Sequence, residues 1–68
     1  MLVICSILIT VNAGIPMSVR QDVEGKILKE GDTKYLIDFS QGVKKIKSID
    51  KSEDYSKVLV DKTKCVKE

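Results

Sequence analysis

No charged side chain occurs before Arg20. Met1 to Val19 holds no Lys, Arg, Asp or Glu, and all 12 basic and 10 acidic residues fall between Arg20 and Glu68. Unpaired charges are costly to bury. The first stretch can therefore enter a membrane, a core or the export machinery, whereas the second must stay largely at a surface. This split constrains location and architecture before it says anything about chemistry.

Leu2-Val3-Ile4-Cys5-Ser6-Ile7-Leu8-Ile9-Thr10-Val11 is nearly unbroken in its apolar character, and Asn12-Ala13-Gly14-Ile15-Pro16 follows. An export signal has an apolar core of about 7–15 residues, then small residues at the cleavage site. Val11-Asn12-Ala13 fits cleavage between Ala13 and Gly14, and Pro16 disfavours a helix beyond it. On this reading residues 1–13 are a signal peptide or membrane anchor and residues 14–68 a small β-rich domain. The protein would be exported, periplasmic or secreted, or held at a membrane. A signal usually begins with basic residues, and here none precedes the apolar core. A spanning helix needs about 20 apolar residues, a length reached only by counting Asn12, Gly14 and Pro16, and it would hold the lysine-rich side in the cytoplasm. Two cytoplasmic alternatives stand beside these. The β-branched Val3, Ile4, Ile7, Ile9 and Val11 suit a buried strand, since a short apolar run does not distinguish core from signal. Alternatively, translation starts at Met17.

The two cysteines, Cys5 and Cys65, depend on that choice. Cleavage leaves Cys65 alone, free or bonded to another chain. A strand at residues 2–11 instead lets Cys5 and Cys65 form a disulfide that ties the two ends of the chain together.

From Arg20 onward the apolar residues follow a strand-like rhythm. Val23, Gly25 and Ile27 share one face, with Asp22, Glu24 and Lys26 on the other. Glu30-Gly31-Asp32-Thr33 reads as a turn in which Gly31 supplies positive φ. Tyr35, Ile37 and Phe39 alternate with Leu36 and Asp38, and Ser40-Gln41-Gly42 breaks the chain again. Tyr55 to Asp61 gives a further strand, with Val58 and Val60 on one face and Leu59 on the other, and Thr63 to Val66 a last short one. Val43, Ile46 and Ile49 lie three apart. A bulged strand accommodates that spacing better than a short helix capped by Ser40, because Gly42, Ser48, Asp50 and Ser52 are indifferent helix formers. The expected fold is mainly β: a small SH3-like barrel or a strongly bent antiparallel sheet. Val23, Ile27, Tyr35, Ile37, Phe39, Ile46, Val58 and Val60 would form its core.

The absence of His removes the commonest general base and metal ligand, and with it the Ser-His-Asp and Cys-His arrangements. Two cysteines do not make a zinc site. Gly14, Gly25, Gly31 and Gly42 are spaced as turns or bulges, unlike a phosphate-binding loop. Asp22, Glu24, Glu53 and Asp54 are carboxylates available for acid–base work, but a domain this small offers little concave volume. Asp50-Lys51-Ser52-Glu53-Asp54 places oxygen side chains at alternate positions as a calcium loop does, yet Tyr55 stands where such a loop needs Gly. No enzyme activity, cofactor or metal is expected.

Lys44, Lys45 and Lys47, with Lys51 nearby, form the one local cationic cluster. It reads as a charged edge or as a contact for a partner or a nucleic-acid backbone. The expected function is that of a small exported or membrane-associated protein-binding module working through an edge strand or surface patch. A phage- or pathogen-encoded inhibitor or accessory factor would suit that description. The alternatives are a cytoplasmic nucleic-acid-binding barrel using the lysines, or a subunit of a larger assembly with the N-terminal run buried as a strand.

Overall fold

The structure, a computed structural model, describes residues 1–12, 14–46, 49 and 54–68. Its elements are β1 (Leu2–Asn12), β2 (Pro16–Glu30), β3 (Lys34–Asp38), a short helix α1 (Ser40–Val43), β4 (Val58–Asp61) and β5 (Cys65–Lys67), with a 3-10 turn at Lys62–Lys64 before the last strand. The five strands make one antiparallel sheet in the order β4-β3-β2-β1-β5. The fold is mainly β, and of the two expected shapes the bent open sheet is the one found, because β4 and β1 do not pair and the barrel stays unclosed.

The charge-free run is β1. It pairs with β2 over its whole length, from Leu2 opposite Lys26 to Asn12 opposite Pro16. Successive side chains on a strand point to opposite faces: Val3, Cys5, Ile7 and Ile9 are buried, while Leu2, Ile4 and Leu8 are exposed. Residues 1–13 and 14–68 are therefore not separate units in this fold. Their boundary falls in the β1–β2 hairpin, where Gly14 adopts φ +93°; Ala13 lies outside the described residues. A cut there would remove four of the eleven buried apolar residues, so this sheet and cleavage after Ala13 exclude one another. Among the described residues, no helix is long and apolar enough to cross a membrane.

β2 is the bent spine of the sheet. Its first part pairs with β1 and its last part with β3, and Lys26 has a partner on each side, Leu2 and Asp38. Two local features flank this changeover. The register slips between Ile27 and Lys29, making Leu28 the extra residue of a bulge that bends the strand. Gly25 leaves room for the core to fold over it: a Cβ there would run into the side chains of Ile37 and Phe39. The tail of β2 and β3 join through residues 31–33. Gly31 does not have the expected positive φ, which among the described glycines belongs to Gly14 alone.

Where a bulged strand is expected from Val43 onward, the described residues instead form the helical turn α1, followed by a further turn to Ile46. Asp38 starts it: its Oδ1 accepts hydrogen bonds from the Ser40 amide (2.8 Å) and hydroxyl (2.6 Å). The Val43 amide then donates to the Phe39 carbonyl (2.9 Å) and the Ile46 amide to that of Val43 (3.1 Å). The three-residue spacing is thus that of a tight helical turn laying Val43 and Ile46 on the core. Gly42 is not a helix breaker here but clearance, since a Cβ would strike the Glu24 carbonyl oxygen and the Val23 side chain of β2. Ile49 bridges to Val11, while residues 47, 48 and 50 lie outside the described set.

Of the expected core, Val23, Tyr35, Ile37, Phe39 and Val60 are buried, and Ile27, Ile46 and Val58 are half-buried against them. Val3, Cys5, Ile7, Ile9, Val43 and Ile49 complete it. No polar or charged side chain among the described residues is buried.

Candidate functional site

The sheet's opening lies between β1 and β4, and hydrogen-bond parity shows which backbone groups face it. In an antiparallel pair, alternate residues exchange hydrogen bonds with one neighbour and the rest point the other way. The Ile27 amide donates to the Met1 carbonyl (3.1 Å), so odd-numbered residues of β1 bond to β2. The Glu68 amide donates to the Leu2 carbonyl (3.2 Å), so even-numbered residues face the opposite edge. β5 covers that edge only as far as Cys5. Beyond it, the Ser6 carbonyl accepts from Arg20 Nη1 (3.1 Å) and the Thr10 amide donates to the Tyr55 hydroxyl (3.2 Å). Between them, the peptide groups of Leu8 have no partner among the described residues. On β4, the Lys62 amide donates to the Thr33 carbonyl (3.0 Å). The same alternation turns the N–H and C=O of Leu59 and Asp61 away from β3.

A cavity of about 410 Å³ occupies this seam. It touches Ser6, Ile7 and Leu8 in succession on β1, and Val58, Leu59, Val60 and Asp61 in succession on β4. Neighbouring residues of a strand point to opposite faces, so a cavity lined by all of them runs along two strand edges rather than sitting on one face. A second cavity, of about 450 Å³, differs: it lies at the β2–β3 turn with Leu36 and Leu59, which share the outer face.

Apolar groups line the seam's inner side through Ile7, Tyr55, Val58 and Val60, while Arg20, Lys34, Lys64, Asp54 and Asp61 supply its charge. Asp54 is already engaged. The Ser56 hydroxyl (2.6 Å) and then the Ser56 amide (2.9 Å) donate to its Oδ1 and hold its carboxyl below the usual aspartate range, which suits a fixed acceptor rather than a proton donor. At the nearby end of β4, Lys62 donates to Glu30 (2.9 Å) and lies 5.2 Å from the centre of the Tyr35 ring. That contact holds the Glu30 carboxyl below its usual range and raises Lys62 above its own.

The residues singled out in the sequence do not gather in one place. Cys5 and Cys65 form a disulfide across the β1–β5 pair. Their register explains it: Leu2 and Glu68 are a hydrogen-bonded pair, so Cys5 and Cys65, three positions along, are a non-bonded pair, where the backbones approach most closely. Gly14 stands in the hairpin turn. Lys44 and Lys45 follow α1 and are exposed, with Lys45 3.8 Å from Glu24; Lys47 and Lys51 lie outside the described residues, as do Asp50, Ser52 and Glu53 of the calcium-loop pattern. Asp22 and Glu24 point to the outer face of β2, opposite Ser6 and Ile4. Among the described residues, no group of three or more His, Cys, Asp or Glu is placed to hold a metal ion.

Sequence reasoning missed Ser6, Leu8, Arg20 and Leu59, which frame the seam. Only the strand assignment of residues 2–11, continued to its free edge, carries that signal. No family model, curated protein or solved structure matches this chain.

Proposed function

We propose that this chain is a small, non-enzymatic protein-binding module that takes an extended segment of a partner protein into the seam between β1 and β4. One observation carries the reading: a cavity bounded by consecutive residues of two strand edges whose outward peptide groups have no sheet partner among the described residues. Strand addition satisfies such groups by main-chain hydrogen bonds and takes specificity from alternate side chains. β1 and β4 are themselves antiparallel, because three antiparallel steps separate them. An inserted strand is therefore antiparallel to one edge and parallel to the other, and following the line of β5 makes it antiparallel to β1.

The lining selects the segment's chemistry. Inward positions meet Ile7, Val58 and Val60 and favour apolar residues. Outward positions meet Arg20, Lys34 and Lys64, against which Asp61 is the acidic side chain with no hydrogen bond to another described residue, and so favour acidic residues. The Cys5–Cys65 bond supports an oxidising, exported or membrane-associated setting. There residues 1–12 would be kept as β1. Of the four lysines in the sequence cluster, Lys45 lies 3.8 Å from Glu24 and Lys44 is exposed, while Lys47 and Lys51 lie outside the described residues.

The test is an isothermal titration of extended peptides with alternating apolar and acidic residues, against wild type and Leu59→Pro. Proline removes an N–H that points away from β3, so the β3–β4 ladder is spared. The expected result is saturable binding by wild type and about two- to tenfold weaker binding by the variant, the worth of one lost main-chain hydrogen bond. Equal affinity for both proteins would remove the seam as the site.

A further inference from the structure

The edge of β1 that borders the seam is the same edge that β5 covers. Along it, Val3 to Cys5 are paired with β5, the Leu2 carbonyl accepts from the Glu68 amide, and Ser6 to Leu8 line the opening. β5 is three residues long and brings little burial of its own: Cys65 is half-buried, Lys67 is exposed and Val66 is 72 % exposed. Three register pairs and the Glu68–Leu2 hydrogen bond (3.2 Å) are its backbone attachment. So short a strand without an apolar face is marginal by itself. The covalent bond from Cys65 to the fully buried Cys5 is what fixes it.

We infer that β5 is a redox-released latch: reduction of Cys5–Cys65 detaches it and lengthens the strand-docking edge of β1 from Ser6–Leu8 to Leu2–Leu8. As regulation of the seam this rests on the strand-addition reading, but the latch itself is a property of the free protein. The co-reactant is a dithiol. One thiolate of the reductant attacks Cys65 Sγ, the more accessible sulfur, and the Cys5 sulfur leaves with the electron pair and is protonated. The reductant's second thiolate then attacks the mixed disulfide, releasing the Cys65 thiolate, which takes up a proton, and leaving the reductant as its own disulfide. Two electrons and two protons pass to the protein. The peptide groups of Leu2 and Ile4 are then free to pair with an incoming strand, and the exposed Leu2 and Ile4 side chains lie beside it on the outer face.

Amide hydrogen exchange read by NMR tests the latch with no partner present. It compares the oxidised protein, the protein reduced by dithiothreitol, and Cys65→Ser, which leaves the buried Cys5 in place. By parity, Ile4 and Val66 are a hydrogen-bonded pair of β1 and β5, whereas Cys5, Ile7 and Ile9 bond to β2. In both unbridged forms the Ile4 and Val66 amides should exchange at least about tenfold faster, with Cys5, Ile7 and Ile9 unchanged, the signature of a local opening. Protection retained at Ile4 and Val66 would overturn the latch. Loss at Cys5, Ile7 and Ile9 as well would overturn it too, because the bond would then hold the whole sheet rather than one strand. Failure of peptides to bind the seam would leave this exchange result untouched, so the two proposals fail separately.

Discussion

β1 presents two uncharged faces that do opposite things. Its inner face, Val3, Cys5, Ile7 and Ile9, lies beside Gly25 and Val23 of β2, in one cluster with Phe39 and Tyr35, and is buried. Its outer face, Leu2, Ile4 and Leu8, lies opposite Lys26, Glu24 and Arg20 and is open to solvent, Leu8 by 59 %. Neither face carries a charge, and large apolar side chains stand on both, so environment rather than charge separates them. The inner face holds the fold, while the outer one contributes little to it and remains available for contact with something else.

The widest gap should appear between two adjacent residues. Ile9→Ala empties a site that is 1 % exposed and should cost about 2–5 kcal/mol, as large-to-small core changes do. Leu8→Ala, one residue away on the opposite face, should change stability by less than about 0.5 kcal/mol. Urea unfolding of the oxidised proteins measures both. Equal losses would mean that the outer face is covered in solution, and the contrast between the faces would collapse.

This contrast also explains what could be read from the sequence. Strands β2 and β3 were legible because their outer faces carry Asp22, Glu24, Lys26 and Asp38, which make the period of two visible. In β1 the outer face, Leu2, Ile4, Ser6, Leu8 and Thr10, carries no charge, so the period of two is muted and the run also fits an export signal. Val3, Ile7 and Ile9 enter the core only on the strand alternative, and the free edge that defines the seam follows from that alternative alone. Around Val43 the difficulty was different. Gly42 weakens a helix by propensity, and only the approach of α1 to the Glu24 carbonyl shows why no larger residue fits. The Cys5–Cys65 bond was stated as a consequence of the strand alternative and follows from the β1–β5 register.

A second substitution probes the inner face from its other wall. Gly25→Ala places a methyl group against Ile37 and Phe39, both fully buried, with no room to move outward. Overpacking of this kind should cost about 1–3 kcal/mol. Thermal unfolding should show the loss, and Phe39→Leu in the same background should recover part of it by vacating the space above Gly25. If Gly25→Ala were neutral, the inner face would not be packed as closely as the bend of β2 requires.

The smallest effect should separate the faces by pH. The inner face holds no carboxylate among the described residues, so acid sensitivity has to come from the outer face and the rim. Asp38, opposite Lys26 on the outer face, is the clearest source. The Ser40 hydroxyl and then the Ser40 amide donate to its carboxylate and hold it below the usual aspartate range. A carboxyl depressed on folding contributes stability that is fully present above its unfolded pKa and is lost as pH falls through the folded one. The contribution of Asp38 should therefore be flat near neutrality and decline only below the ordinary aspartate value of 3.8. Asp38→Asn should be less stable than wild type at pH 7 and should flatten the decline, so that the two unfolding curves converge in acid. Asn cannot supply the charged acceptor that starts α1, but it has no proton to gain. Parallel curves across the acid range would show that the Ser40 contacts do not discriminate between the charged and neutral carboxyl, and the acid-sensitive group would then have to be sought in Glu30 or Asp54, which are depressed in the same direction.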